Sequence, residues 1–78
     1  MNTLEKVIGI VAETCEVDPS EVCGDSSVGV FPTWDSMGHL SIINNVEEAF
    51  GISFEPEEMM ELEDVNDIVR AVEEKLAE

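Results

Sequence analysis

The chain has 78 residues, 44% of them apolar, with 19 acidic side chains against 3 basic ones and a formal net charge of −16. A domain of this size buries only about 60% of the surface its unfolded chain exposes, so residues 1–78 are expected to form one domain with one core and no deep catalytic cavity. The negative field repels nucleic acid and anionic membrane surfaces and draws in basic partners, which excludes nucleic-acid binding.

Residues 3–15 are predicted to form the first helix. Leu4, Val7, Ile8, Val11 and Cys15 recur at helical spacing, while Glu5, Lys6 and Glu13 fall elsewhere on its surface. Thr3 is the expected N-cap, without a reciprocal capping box because Lys6 stands at the third helical position. The apolar run from Val7 to Ala12 falls far short of the roughly 20 residues that span a bilayer. The opening residues lack a basic stretch followed by an apolar one, so neither a membrane span nor a signal peptide is expected.

From Val17 to about Trp34 no period is sustained, and Pro19, Gly24, Gly29 and Pro32 interrupt the stretch. One helical turn near Asp18–Val22 is expected, with Pro19 at its start. Loops of this length in small domains are generally functional or disordered. Val22, Val28, Val30 and Phe31 are expected to pin this one to the helices and keep it ordered. Cys15 and Cys23 are too far apart for a CxxC motif, and with a single His they predict no zinc site. Two unpaired thiols suit a reducing compartment, and the cytoplasm is the expected location. A calcium loop counted from Asp25 would place Val30 where glycine is required and Ser36 where a bidentate Glu is required, so no metal site is expected.

A second helix is predicted from Ser36 to Phe50, ended by Gly51 in a left-handed conformation with Ile52 folding back. His39, Ile42, Ile43, Val46 and Phe50 form its core stripe, and Met37, Leu40, Ser41, Asn44, Glu47 and Glu48 share the opposite face. Pro56 opens a short third segment to Leu62, whose Met59 and Met60 are read as core contacts rather than as an adaptable groove. A final helix runs from about Val65 to Ala77, N-capped by Asp64, with Val65, Ile68, Val69, Val72 and Leu76 as its stripe. The fold class is therefore all-α: a small four-helix bundle with a long loop between the first and second helices.

The chemistry concentrates where that loop meets the second helix, at Trp34-Asp35-Ser36-Met37-Gly38-His39-Leu40. A phosphate on the Ser36 hydroxyl would sit at the positive end of the helix, although Asp-Ser is equally an ordinary helix start. Serine hydrolase chemistry is disfavoured. Ser36 and His39 are three apart, but the period turns His39 toward the core as a partly buried residue with a hydrogen-bond partner. The first glycine of a GxSxG elbow is also missing.

Over essentially its whole length the chain resembles the acyl carrier protein family. Asp35-Ser36-Met37 is similar to that family's Asp-Ser-Leu attachment motif with Met for Leu, and Val46-Glu47-Glu48-Ala49-Phe50-Gly51-Ile52 resembles the acidic end of its second helix. Glu55-Pro56-Glu57-Glu58-Met59-Met60 resembles its short third helix, and Asp64-Val65 the start of its fourth. The resemblance implies a carrier, not an enzyme. A phosphopantetheinyl transferase would move 4′-phosphopantetheine from coenzyme A onto Ser36 as a phosphodiester, making a phosphoprotein whose terminal thiol carries cargo as a thioester. It also implies that Asp35 belongs to the recognition motif, that Met37 and Leu40 offer partners an apolar contact, and that Glu47 and Glu48 steer basic surfaces. Those partners would be an acyl- or aminoacyl-loading ligase and downstream transferases, acting on a monomer.

Fatty-acid carriers often have acids soon after the attachment serine, whereas this chain has Gly38 and Ser41. The run from Asp35 to Gly38 is similar to that of D-alanyl and other dedicated carriers. A specialised pathway is therefore expected, in fatty acid or polyketide biosynthesis, with an aminoacyl carrier as the alternative and a non-covalent helical adaptor behind both. Gly38, which weakens the helix by about 1 kcal/mol relative to Ala, is expected to admit a partner or the arm. The long loop and third helix are expected to be the least stable parts and to shift for cargo.

Overall fold

The computed structural model describes residues 2–77. Among them run four α-helices: α1 (Thr3–Cys15), α2 (Ser36–Phe50), α3 (Pro56–Glu61) and α4 (Val65–Ala77), with a 3₁₀ turn at Pro19–Glu21 between α1 and α2. This is the predicted all-α bundle with its long first connection. α1 packs against both α2 and α4, so the first helix is the spine of the domain.

The stripes read from the sequence meet in one core. Val7, Val11 and Cys15 of α1, Ile42, Ile43 and Val46 of α2, and Val65, Ile68 and Val72 of α4 are all buried. The stripes fray at their ends, where Leu4 and Leu76 are exposed. The N-cap of α1 is Asn2 rather than Thr3, because the Asn2 side chain accepts the Glu5 amide at 2.8 Å and Thr3 is already helical. Asp64 caps α4 as expected, accepting the Asp67 amide at 2.8 Å. Gly51 ends α2 at φ 67°, and its amide and that of Ile52 both donate to the Glu47 carbonyl.

Trp34 anchors the long loop; it is completely buried and stood outside the set expected to pin that segment. Val22 is buried and Phe31 half-buried, but Val28 and Val30 are exposed, so half of the expected pins face outward. Polar contacts do the remaining work. Val28 donates to the Glu63 carbonyl and Val65 to that of Ser26, pairing the loop with the α3–α4 connection, and Asn66 donates to Gly24. The Thr33 hydroxyl donates to the Cys15 carbonyl at 2.9 Å and satisfies one of the orphan acceptors at the end of α1. These bonds explain how a stretch with few buried side chains stays ordered.

α3 is held more lightly. Leu62, just beyond it, is buried, and Lys75 of α4 reaches Glu58 at 2.8 Å. That Lys75 contact, followed by the Glu55 amide, holds the Glu58 carboxyl below its usual range. Met59 packs against the core, but Met60 is 84% exposed, contrary to its expected core role. Successive residues on a helix point about 100° apart, and so short a helix leaning on one edge of the core buries only one of the two.

Candidate functional site

The start of α2 is built by Asp35. Its backbone is extended at φ −99°, its side chain accepts the Gly38 amide at 2.8 Å, and its carbonyl accepts the His39 amide at 2.8 Å. Because Asp35 does the capping, Ser36 is the first helical residue and its exposed side chain is spared that duty. The Ser36 and Met37 amides belong to the set that a helix cannot satisfy internally, and the positive end of the macrodipole lies beside the hydroxyl.

Gly38 has a different reason from the one expected. A Cβ there would collide with the carbonyl oxygen of Thr33 and crowd Asp35 Oδ1. The close approach is between two parts of this chain, where the loop folds over the first turn of α2. Gly38 is thus required by this chain's own packing where the loop meets α2.

Below Ser36 lies a cleft of about 540 Å³ between α2, α3 and the loop. Leu40, Met59, Met60, Leu62 and Val28 supply its apolar lining, and Ser36 stands on its edge. His39 forms part of the same wall. It is half-buried and accepts a hydrogen bond at Nδ1 from Trp34 Nε1 at 3.1 Å, the kind of partner expected for it. With Nδ1 accepting, the neutral ring carries its hydrogen on Nε2, and that atom is buried without a partner. A buried unpaired donor ordinarily costs about 1–3 kcal/mol.

The remaining candidate residues divide into two groups. Met37 is 79% exposed and Leu40 53%, and Glu48 is exposed with them on the outer face of α2. Glu47 is half-buried, and its carboxylate accepts the Phe54 amide at 2.7 Å, tying the segment after α2 back onto the helix. It therefore has a structural duty alongside its place on the acidic face. Sequence reasoning did not foresee that Met60, Val28 and Val30 are exposed, nor that Met60 and Val28 line the cleft beside Ser36. A signal for Met60 was available, since adjacent methionines on a one-and-a-half-turn helix cannot both face inward.

The phosphopantetheine attachment site family matches residues 34–72, from Trp34 through most of α4. The chain is 35% identical over 74 residues to an acyl carrier protein of Thermosynechococcus vestitus, an alignment spanning 95% of this chain and 91% of that one. The chain belongs to the acyl carrier protein family. It is also 33% identical over 75 residues to a non-reducing polyketide synthase, pkiA, of Emericella nidulans, where the match covers 96% of this chain and 3% of that much longer protein. As a member of the family, this carrier bears 4′-phosphopantetheine covalently. The residues present fit that group: an exposed hydroxyl at a helix start would hold its phosphate, and an apolar cleft opens next to it. Among the described residues no helix is long and apolar enough to cross a membrane.

Proposed function

We propose that Ser36 is the attachment residue and that this carrier moves acyl groups between the enzymes of a specialised biosynthetic pathway. The observation that carries the reading is the division of labour at the start of α2, where Asp35 caps the helix and leaves the Ser36 hydroxyl exposed beside the cleft. The arm supplies a terminal thiol on which cargo rides as a thioester. Ser36 holds the arm, and the exposed Met37 and Leu40 with Glu48 present an apolar and acidic face to the phosphopantetheinyl transferase, the loading ligase and basic transferases. Glu47 adds its charge to that face.

The protein performs no catalysis of its own in this reading. His39 is the one histidine of the chain; its Nδ1 is engaged by Trp34 and its Nε2 is buried, so it gives Ser36 no general base. Support for a specialised role comes from Ser41, which is exposed where an acid is common in fatty-acid carriers, and from the likeness to a polyketide synthase. An aminoacyl carrier is the second reading. The two free cysteines, Cys15 and Cys23, suit a reducing cytoplasm.

Incubation with coenzyme A, magnesium and a phosphopantetheinyl transferase is expected to raise the mass by one phosphopantetheine, and Ser36→Ala is expected to abolish the gain while leaving the fold intact. An unchanged mass with transferases of differing specificity would overturn the assignment of Ser36. The mass of cargo on protein recovered from cells separates acyl from aminoacyl service.

A further inference from the structure

Gly9 stands in the middle of α1, where glycine is less favourable than alanine because it gives up more backbone freedom on folding. Neither ordinary reason for keeping it applies. Its φ is not positive, and a Cβ built on it meets nothing within 4 Å. In contrast to Gly38, the packing of this chain makes no use of the missing side chain. The space opens instead into a groove along the seam of α1 and α2. Two adjoining hollows of about 350 and 300 Å³ share Ile10, Glu13 and Ala49, and Gly9 lies in the second. At one end the Asn45 amide donates to the Thr14 hydroxyl at 2.9 Å and ties the two helices together; at the other Lys6 lies 5.5 Å from the centre of the Phe50 ring. Ile10 is half-buried and Ala49 exposed, which gives the groove an apolar floor. Glu5, Glu13 and Glu48 surround it, and among the described residues none of these carboxylates has an ion-pair partner. No three acidic groups among the described residues are close enough to hold a metal ion.

We propose that this groove docks a basic amphipathic helix of a partner protein, which lays small apolar side chains over Gly9, Ile10 and Ala49 and sets Lys or Arg opposite Glu5, Glu13 and Glu48. Glycine at the floor lets the partner's backbone come close, and the unpaired carboxylates select its charge. A second copy of this chain would bring like charge, at a net −16, and is disfavoured as the occupant. Ala49 lies thirteen residues along α2 from Ser36, roughly 20 Å at 1.5 Å per residue. A helix in the groove therefore leaves the Ser36 end and the Met37 and Leu40 face uncovered, and Glu48 alone is shared with that face. The carrier would be held on one surface while its other end is served. This site does not depend on Ser36 being the attachment residue.

The probe is a synthetic helical peptide of about 16 residues with alanines along one face and lysines flanking them, titrated into the isotope-labelled carrier and followed by the backbone amide resonances. Saturable shifts are expected at Gly9, Ile10, Glu13 and Ala49, with smaller ones at Met37, Leu40 and Met60, and the affinity is expected to fall as salt is raised. Gly9→Leu fills the groove with a better helix former, so its unfolding midpoint is expected to be no lower while peptide affinity drops about tenfold. Gly9→Ala adds one carbon that meets nothing in this chain; it is expected to raise the midpoint and still weaken binding. Because both variants are expected to fold at least as well as the parent, lost affinity reports on the groove itself. Shifts centred on Met37, Leu40 and Met60 would overturn the proposal by placing the peptide at the other end of the molecule. Undiminished binding by Gly9→Leu, the absence of saturable shifts, or equal binding of a peptide with glutamates in place of its lysines would overturn it as well. Shifts at the same amides on raising the carrier concentration alone would make a second copy the occupant and reject the basic helix.

Discussion

Gly38 and Thr33 approach so closely that a Cβ on the glycine would occupy the space of the threonine carbonyl oxygen. Helix propensity by itself favours Gly38→Ala by about 1 kcal/mol. Backbone cannot swing away as a flexible side chain would, and moving Thr33 would disturb its bond to Cys15 and its buried neighbour Trp34. Overpacking of this kind costs about 1–3 kcal/mol. Gly38→Ala is therefore expected to lower the urea midpoint, and a variant as stable as the parent or more so would show that the loop yields freely at this point.

Asp35 combines a structural task with its place in the attachment motif, and two substitutions separate them. Asp35→Ala removes the cap on the Gly38 amide and is expected to cost about 0.5–2 kcal/mol in denaturant unfolding. Asp35→Asn keeps a capping oxygen and is expected to retain most of that stability. If the carboxylate charge is what the transferase reads, modification of Ser36 slows in both variants. If helix order is what matters, it slows only in the Ala variant. Rates followed by intact mass distinguish the two.

The helices were legible because each carries an apolar stripe of correct period and a recognisable end, as with Asp64 at the start of α4 and Gly51 beyond α2. The bounds of α1 were read correctly but its cap was misplaced by one residue, since Asn2 and Thr3 are both competent caps and only backbone geometry decides between them. The loop was harder to read. Its order depends on backbone pairing of Ser26 and Val28 with Val65 and Glu63, residues far apart in the chain, and such contacts leave no periodic trace. For the same reason Val28 and Val30 looked like core residues when they are exposed. The position of Ser36 at the start of α2 and the exposure of Met37 and Leu40 on its outer face were visible from the helical period. The His39–Trp34 pairing and the unpaired Nε2 that results were not, because an aromatic partner five residues away has no sequence signature.

Glu58 gives the third helix a pH dependence. Its carboxyl is held below the usual value of 4.5, first by the hydrogen bond from Lys75 and then by the Glu55 amide. A depressed folded value means that the stabilisation is fully present above the unfolded value and is lost as pH falls through the folded one. The parent is therefore expected to be more stable than Glu58→Gln at pH 7, with the gap closing below about pH 4.5. The other carboxyls titrate in both proteins, so the difference between their unfolding midpoints isolates this contact. A gap that persists at pH 3 would assign the effect to packing rather than charge.

Glu16 is the non-glycine residue with positive φ among the described residues, at φ 59° and ψ 41°, where it ends α1. Left-handed backbone costs a side-chain-bearing residue about 1–2 kcal/mol, and glycine there avoids that cost while adding about 0.5–1 kcal/mol of unfolded-state entropy to be lost. The charge acts in the same direction as the strain. A carboxylate at a helix C-terminus opposes the macrodipole, here in a chain with a net charge of −16. Glu16→Gly is expected to stabilise the domain by about 0.5–1 kcal/mol, which at about 4–8 °C per kcal/mol is a rise in Tm of a few degrees. Glu16→Ala removes the charge but keeps the Cβ, so the difference between the two variants measures the backbone contribution. If Ala matches Gly, the gain comes from charge and the left-handed conformation of Glu16 carries little strain.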